Sequence, residues 1–389
     1  MSTQQTIQPA RRVKYVRLGN SGLKVSQIIL GCMTYGSKEW RPWALDEEES
    51  IKHIKYAYEA GIQTFDTANM YSNGMGEIVL GNAIKKLGLP REEIVVMTKV
   101  RHPVGKTTEV SGLELFLAGP DNVGYVNQHG LSRKHIFDSV KASLGRLQMD
   151  YIDVLQCHRF DYATPVAETM QALHDVVQAG YVRYIGMSSC HAWQFHVMQN
   201  YAITHNLTPF ISMQNQYSLL YREEEREMMP TLNHFGVGCI PWSPLARGAL
   251  TRPYVAPTLN VAAGTTDTPS LGALTRLNAN ATSASDGENT KTTRQESDEL
   301  PPEAYFLLGA GNKDVVDRVE QLAKKYNKTM AQIALAWHMT KDGVTAPIVG
   351  TTSLEKLEDL IGALDVKLSA EDVKYLEEPY KPMKPMMYV

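Results

Sequence analysis

Four polar side chains of different types follow three successive predicted strands, and together they could protonate a carbonyl oxygen. The segment FDTANMYSNGMGE places Asp66 at the end of an apolar run and Tyr71 five residues later. Lys99 ends the next run, VVMTKV, and His158 ends the one after it, DVLQCH. A tyrosine with its ordinary pKa of about 10 donates a proton poorly near neutral pH, but a nearby ammonium favours the tyrosinate. We therefore predict a group in which Asp66 holds Lys99, Lys99 tunes Tyr71, and His158 orients a carbonyl that hydride converts to an alkoxide.

Each of these residues has an ordinary structural interpretation when it is taken alone. A single Asp, Lys or His at a strand end is more often a helix cap or a surface charge than a catalyst. Buried charges are costly unless they are paired, so a lysine and an aspartate that end neighbouring strands favour a functional site.

The elements that must position this group alternate regularly between strand and helix from residue 46 onward. The predicted strands are 28–30, 63–66, 94–99, 151–158, 182–186, 210–214, 237–241 and 346–349. Strands that are connected through single helices must run parallel, and eight of them can close. We therefore predict an α/β fold, a (β/α)8 TIM barrel with its chemistry at the C-terminal face. A doubly wound sheet is the rival architecture, and the absence of GxGxxG after the first strand counts against it.

Several segments do not fit the repeat. Residues 14–25 are predicted to form an N-terminal hairpin that closes the bottom of the barrel, and residues 102–130 and 251–312 are long loops at its C-terminal face. We predict one barrel domain over 14–380, with a partly mobile insertion at 251–312, a disordered tail at 1–13 and a second tail at 381–389.

Composition excludes several classes of partner. The 389 residues are 43% hydrophobic and 21% charged with a net charge of −3, which argues against a nucleic-acid partner. The sequence shows neither a signal peptide nor a membrane-spanning stretch, so we expect a cytoplasmic protein. Its four cysteines are scattered, which favours neither disulfides nor a metal site. The sequence is silent on oligomeric state.

Beyond the catalytic segments, several motifs carry a resemblance to a known family. They are LGNSGLKVS, LSRKHI, SLGRLQMDYIDVLQCHRFD, YIGMSS, MQNQYSLLYREEEREMMP, PWSPLARGAL and VGTTSLEKLEDL. With FDTANMYSNGMGE and VVMTKV they cover roughly residues 15–380. The chain resembles the aldo-keto reductase superfamily, and in detail the fungal and bacterial branch of aryl-alcohol-dehydrogenase-like enzymes.

The resemblance implies a role for each of these segments. Tyr71 becomes the general acid, Asp66 and Lys99 its electrostatic partners, and His158 the group that orients the substrate. It also implies an NADP(H) cofactor that is bound without a Rossmann fold. The nicotinamide is assigned to Ser188, Ser189, Gln214 and Tyr217. The pyrophosphate is assigned to Ser243, Pro244, Leu245 and Arg247, and the 2′-phosphate to Gly350, Thr351 and Lys356.

Ordinary interpretations stand beside these assignments. The pair Ser188–Ser189 could cap a helix, Gln214 could be a buried amide that the backbone satisfies, and PWSPL could be a proline turn. Lys356 could lie on a solvated helix face, and relatives commonly carry arginine there, whose fork suits phosphate better than a point charge does.

The resemblance implies NADPH-dependent reduction of a small-molecule aldehyde or ketone, aromatic ones included, to the alcohol. The alternative is a regulatory or cofactor-sensing protein on the same barrel, like the potassium-channel β subunits. Trp40 and Trp43, in the loop after the first barrel strand, could be rim packing or substrate contacts.

Overall fold

The computed structural model describes residues 12–254 and 312–383. The strands are β1 Tyr15–Arg17, β2 Lys24–Ser26, β3 Ile29–Gly31, β4 Thr64–Asp66, β5 Val95–Val100, β6 Ile152–Cys157, β7 Val182–Ser188, β8 Phe210–Gln214, β9 Gly238–Cys239 and β10 Ile348–Val349. The helices are α1 Glu47–Glu59, α2 Met75–Leu87, α3 Gly112–Ala118, α4 Arg133–Leu147, α5 Val166–Gln178, α6 Ala192–Thr204, α7 Met228–Phe235, α8 Asn312–Tyr326, α9 Met330–His338, α10 Leu354–Ile361 and α11 Ala370–Glu377.

Strands β3 to β10 form a closed parallel barrel. They pair in the order β10-β3-β4-β5-β6-β7-β8-β9, and every pair is parallel. The two ends of this sheet meet, because the backbone N–H of Thr345 donates to the Cys239 carbonyl at 2.7 Å and that of Ile348 to the Pro241 carbonyl at 2.9 Å. The predicted (β/α)8 barrel is confirmed.

The predicted N-terminal hairpin closes one end of the barrel. Strands β1 and β2 pair antiparallel, with Val16 opposite Val25. Leu18 and Val25 are fully buried and pack with interior strand residues such as Met97 and Val154. Since this apolar plug fills the bottom, the chemistry must lie at the opposite rim, where the strands have their carboxyl ends.

A second apolar layer lies between the strands and the surrounding helices. Its helices are well capped: Asp46 accepts from the Glu49 N–H at the start of α1, and Ser132 accepts from the His135 N–H at the start of α4. None of the helices in the described ranges combines the length and the apolar character needed to cross a lipid bilayer.

Some local predictions are wrong. The segment 102–130, which was predicted to be a loop, contains α3. A 3-10 turn, Glu223–Glu225, precedes α7. The predicted insertion at 251–312 and the two tails fall largely outside the described residues. Val13, which the sequence assigned to the tail, is buried, and its N–H donates to the Ala60 carbonyl at 3.3 Å.

Candidate active site

The carboxyl ends of β4, β5 and β6 bring the four predicted catalytic residues to one rim. Asp66 is the last residue of β4, Lys99 is the last but one of β5, and His158 follows β6 directly. Tyr71 begins a 3-10 turn, Tyr71–Gly74, that leads from β4 into α2. The Tyr71 ring centre lies 5.2 Å from Lys99 Nζ and 6.0 Å from the centre of the His158 ring. The four side chains therefore form one cluster.

Lys99 and Asp66 form a buried ion pair at the base of this cluster. Lys99 Nζ lies 2.6 Å from Asp66 Oδ2, and the two side chains are 0% and 3% exposed. Nζ also donates to the Thr67 carbonyl at 2.8 Å. Burial acts to lower the pKa of Lys99, but attraction to Asp66 and Tyr71 outweighs it and leaves the pKa raised. Lys99 is therefore positively charged at neutral pH.

Two buried glutamines complete the surroundings of Asp66. Its Oδ1 accepts from Gln156 Nε2 and from Gln214 Nε2, both at 2.9 Å, and Gln214 Nε2 also lies 3.0 Å from Gln156 Oε1. Gln156 was not among the sequence-predicted site residues. The available signal was an uncharged amide within the mostly apolar strand IDVLQC, a place where a glutamine must find a buried partner.

The net change in the pKa of Tyr71 is opposite to the one expected from the sequence. Lys99 does act to lower the pKa of the phenol, as expected, but burial raises it by more, and the net pKa lies above the ordinary value. Tyr71 therefore keeps its proton at neutral pH. The arrangement supplies a protonated phenol together with a cation that stabilises the tyrosinate left after proton transfer.

His158 is held as a neutral imidazole. Its ring lies 4.8 Å, centre to centre, from that of His102 in an edge-to-face contact. Burial, then the charges of His102 and Arg159, hold the pKa of His158 well below its usual range. Its Nδ1 is buried without a hydrogen-bond partner among the described residues. A neutral histidine can offer one ring nitrogen as a donor to a substrate oxygen.

Sequence comparison agrees with the barrel fold. A profile described as the Aldo/keto reductase family matches residues 27–381. A Schizosaccharomyces pombe protein provisionally named an aryl-alcohol dehydrogenase is 48% identical over 374 residues, which cover 95% of this chain and 96% of that protein.

The chain belongs to the aldo/keto reductase family.

Two further relatives also align over most of both chains. Versiconal hemiacetal acetate reductase of Aspergillus parasiticus is 44% identical over 371 residues, 95% of this chain and 98% of the relative. An aldo-keto reductase of Fusarium vanettenii is 42% identical over 375 residues, 95% of this chain and 92% of the relative.

In this aldo/keto reductase the predicted nicotinamide-binding residues lie beside the four predicted catalytic residues. The Ser188 hydroxyl donates to the Gln214 carbonyl at 2.8 Å, and Ser189 accepts from Trp242 Nε1 at 2.9 Å. Helix α6 has His191 as its N-cap, so the interpretation of the serine pair as a helix cap is wrong. Gln214 is a buried amide, as the ordinary interpretation expects. Its Nε2 donates to the side chains of Asp66 and Gln156, however, and not to the backbone.

Tyr217 is placed differently from a freely accessible stacking platform. Its side chain is fully buried, its hydroxyl lies 2.5 Å from Glu225 Oε1, and its ring centre lies 5.1 Å from that of Trp337. The ring therefore has no exposed face on which a planar ligand could stack in this conformation.

The segment after β9 has an unusual backbone. Ser243, Ala246 and Arg247 have φ angles of 53°, 48° and 54°, in the left-handed region that non-glycine residues seldom adopt. Such strain concentrates at ligand-binding and catalytic loops. Pro244 and Leu245 lie within this segment, and the Pro244 carbonyl lies 3.2 Å from His338 Nε2.

The last predicted cofactor group follows β10, next to β3 on the same rim. Thr351 accepts from the Ser353 N–H at 3.3 Å, which shapes the turn before α10. Gly350 is exposed, and Lys356 lies in the first turn of α10, where its N–H donates to Ser353 Oγ at 3.3 Å. In the described ranges, no group of three or more His, Cys, Asp or Glu side chains is arranged to hold a metal ion.

Proposed function

We propose that this protein reduces an aldehyde or ketone to the alcohol with NADPH, and that Tyr71 is the general acid. One observation carries the proposal: a protonated phenol lies beside a buried ammonium and a neutral imidazole at the mouth of a closed barrel. A general acid must be protonated before the reaction and stabilised as its conjugate base afterwards, and this geometry supplies both.

The side chains divide the work between them. His158 donates a hydrogen bond to the carbonyl oxygen and sets its angle to Tyr71. The Tyr71 O–H then transfers its proton to that oxygen as negative charge develops there. Lys99 stabilises the resulting tyrosinate, and Asp66, held by Gln156 and Gln214, keeps Lys99 in place. Solvent returns the proton to Tyr71 after the alcohol leaves.

The types of residue at the rim support binding of a dinucleotide of the kind that the family uses. When bound, NADPH supplies the hydride. Ser188, Ser189 and Gln214 would hold its carboxamide. Tyr217, which is fully buried, would lie against the nicotinamide only after the side chains that cover it have moved. The strained segment that carries Ser243, Pro244, Leu245 and Arg247 would hold the pyrophosphate, and Gly350, Thr351 and Lys356 the 2′-phosphate. Arg247 and Lys356 offer positive charge, which phosphate groups require.

An aromatic substrate is supported by the residues beside Tyr71. Trp40 is 7% exposed, its ring lies 6.5 Å from that of Tyr71, and its Nε1 is buried with no hydrogen-bond partner in the described part of the chain. A flat ring that enters the site would meet this indole. The relative named as an aryl-alcohol dehydrogenase points to substrates of this kind.

The test is steady-state oxidation of NADPH and of NADH, followed at 340 nm, against a panel of aryl aldehydes, ketones and dicarbonyls. We expect rapid turnover of at least one aryl aldehyde with a preference for NADPH. Absence of multiple turnover across the panel, together with slow exchange of a tightly bound cofactor, would instead support the cofactor-sensing alternative.

A further inference from the structure

A cavity lies beside the catalytic cluster, on the side away from the segments assigned to the cofactor. Its volume is about 300 Å³, and its lining includes Arg101, His102, Pro103, His129, Asp161 and Tyr162. Met70, the neighbour of Tyr71, also lines it. His102 lies between the cavity and the proposed catalytic residues, because it lines the cavity and its ring contacts that of His158. A substrate whose carbonyl is at Tyr71 could therefore extend into this cavity.

Arg101 brings an unpaired positive charge to the cavity. Its guanidinium forms no ion pair with any described residue, and its recorded polar contact is with His102 Nδ1 at 3.5 Å. The residue is half-buried, and its φ of 142° lies where side chains other than glycine are rare. A half-buried positive charge without a paired carboxylate costs folding free energy, and a bound anion would offset that cost.

The acidic group in the cavity lining does not fill this role. Asp161 Oδ2 accepts from the Leu131 N–H at 2.7 Å and from the Thr164 hydroxyl at 2.6 Å, and Oδ1 accepts from the Ala163 N–H at 3.0 Å. These bonds stabilise the loop after β6 and join it to the segment before α4. Asp161 attracts Arg101 electrostatically, but it forms no ion pair with Arg101 within the described residues.

A second arginine adds to the positive potential. Arg159 is half-buried, and its Nη1 donates to the His158 carbonyl at 2.8 Å, without an ion pair in the described ranges. Burial, then the nearby charges of Arg101 and Arg247, lower the pKa of Arg159 to about 10. The catalytic mouth therefore has an excess of positive charge on a protein whose net charge is −3.

We propose that Arg101 binds an anionic group, a carboxylate or an ionised phenol, at the far end of an aryl carbonyl substrate, and so makes the enzyme prefer anionic aldehydes to neutral ones of the same shape. This inference rests on the proposed function and adds the charge of the substrate to it. The planar guanidinium matches a carboxylate with two parallel hydrogen bonds, which gives both affinity and orientation.

The experiment compares 4-carboxybenzaldehyde with its neutral methyl ester, methyl 4-formylbenzoate, in wild type, Arg101→Gln, Arg101→Lys and Arg17→Gln. Arg17 is the matched control, because it is an exposed arginine on β1 at the closed end of the barrel. The measured quantity is the ratio of kcat/KM for the acid to that for the ester. We expect Arg101→Gln to lower this ratio about 10- to 100-fold, mainly through KM, which is the effect of losing a charge-assisted hydrogen bond. Arg101→Lys should restore part of the ratio, and Arg17→Gln should leave it unchanged.

Two measurements separate failure of this inference from failure of the proposed function. Calorimetric titration of 4-carboxybenzaldehyde into the NADP⁺-saturated protein measures binding without turnover, and it decides the inference even if neither aldehyde is reduced. The wild-type ratio should also fall as sodium chloride is raised, because salt screens the attraction, and this needs no variant. Equal losses for acid and ester in Arg101→Gln would show a merely structural role. That result, or a wild type that binds the acid no better than the ester, overturns the proposal.

Discussion

Replacing Lys99 with methionine should weaken Tyr71 as an acid in an amount that the geometry sets. Lys99 Nζ lies 5.2 Å from the Tyr71 ring centre. At that separation, an effective dielectric constant of about 20 gives an attraction on the order of 3 kcal/mol between the ammonium and a tyrosinate. If the transition state feels half of this, kcat/KM falls about 15-fold, and if it feels all of it, about 200-fold. The pKa of Tyr71, already raised by burial, rises further once Lys99 is gone.

The pH dependence of kcat/KM is the decisive assay, because damage to the fold does not reproduce it. Tyr71 must be protonated to donate, so carbonyl reduction falls as the pH rises through its pKa. Loss of Lys99 raises that pKa, so the alkaline limb of the profile must move to higher pH in Lys99→Met. We expect this shift together with the lower plateau.

Stability needs a matched control, since Lys99→Met leaves Asp66 buried and charged with two amide donors. Breaking a buried pair in this way costs about 3–5 kcal/mol of unfolding free energy. Arg91→Met breaks the Arg91–Asp153 pair, 2.6 Å apart, at the opposite end of the barrel. It should lower stability and leave the pH profile in place. A Lys99→Met enzyme with the wild-type alkaline limb would refute the reasoning.

Three further predictions follow from the same contacts. Because the pKa of His158 is held well below its usual value, kcat/KM of the wild type should stay flat as pH falls from about 8 to about 6; a limb near 6.5 that disappears in His158→Asn would contradict this. Lys356→Met should weaken NADPH binding about tenfold and leave NADH binding unchanged in fluorescence titrations; equal losses would remove Lys356 from the 2′-phosphate site. Arg146→Met leaves Glu77, which is 0% exposed, without its ion pair and should cost about 3–5 kcal/mol in urea unfolding, whereas Arg133→Met, at an exposed pair, should cost about 0–1; similar losses in the two variants would contradict the burial argument.

That the four predicted catalytic residues lie together could be predicted from the sequence for a physical reason. Parallel strands of a closed barrel end at one rim, so a polar residue at the end of each strand is placed in space by topology alone. Asp66, Lys99 and His158 meet that condition, and Tyr71 lies in the short turn beside them. The hairpin was predictable as well, because Gly19 and Gly22 mark its turn and Val25 faces the interior.

Other residues around the site could not be predicted from the sequence in the same way. Gln156 lies in an all-buried strand, and the sequence does not show which of its residues face the barrel interior. His102 and Arg101 belong to a loop, and their directions depend on a local backbone that no periodicity reveals. Burial also changed the sign of the net shift in the pKa of Tyr71. The charged neighbour could be predicted from the sequence, but the desolvation depends on the folded surroundings.

Proton donation by Tyr71 is tested most directly by a single-turnover measurement. NADPH-loaded Tyr71→Phe is mixed with an aryl aldehyde and compared with wild type and with Tyr375→Phe, which removes a partly exposed phenol on α11 that bonds to Gln321. We predict that Tyr71→Phe binds NADPH as wild type does but transfers hydride about 10²- to 10⁴-fold more slowly, and that Tyr375→Phe behaves as wild type. Hydride transfer in Tyr71→Phe at close to the wild-type rate would contradict the account.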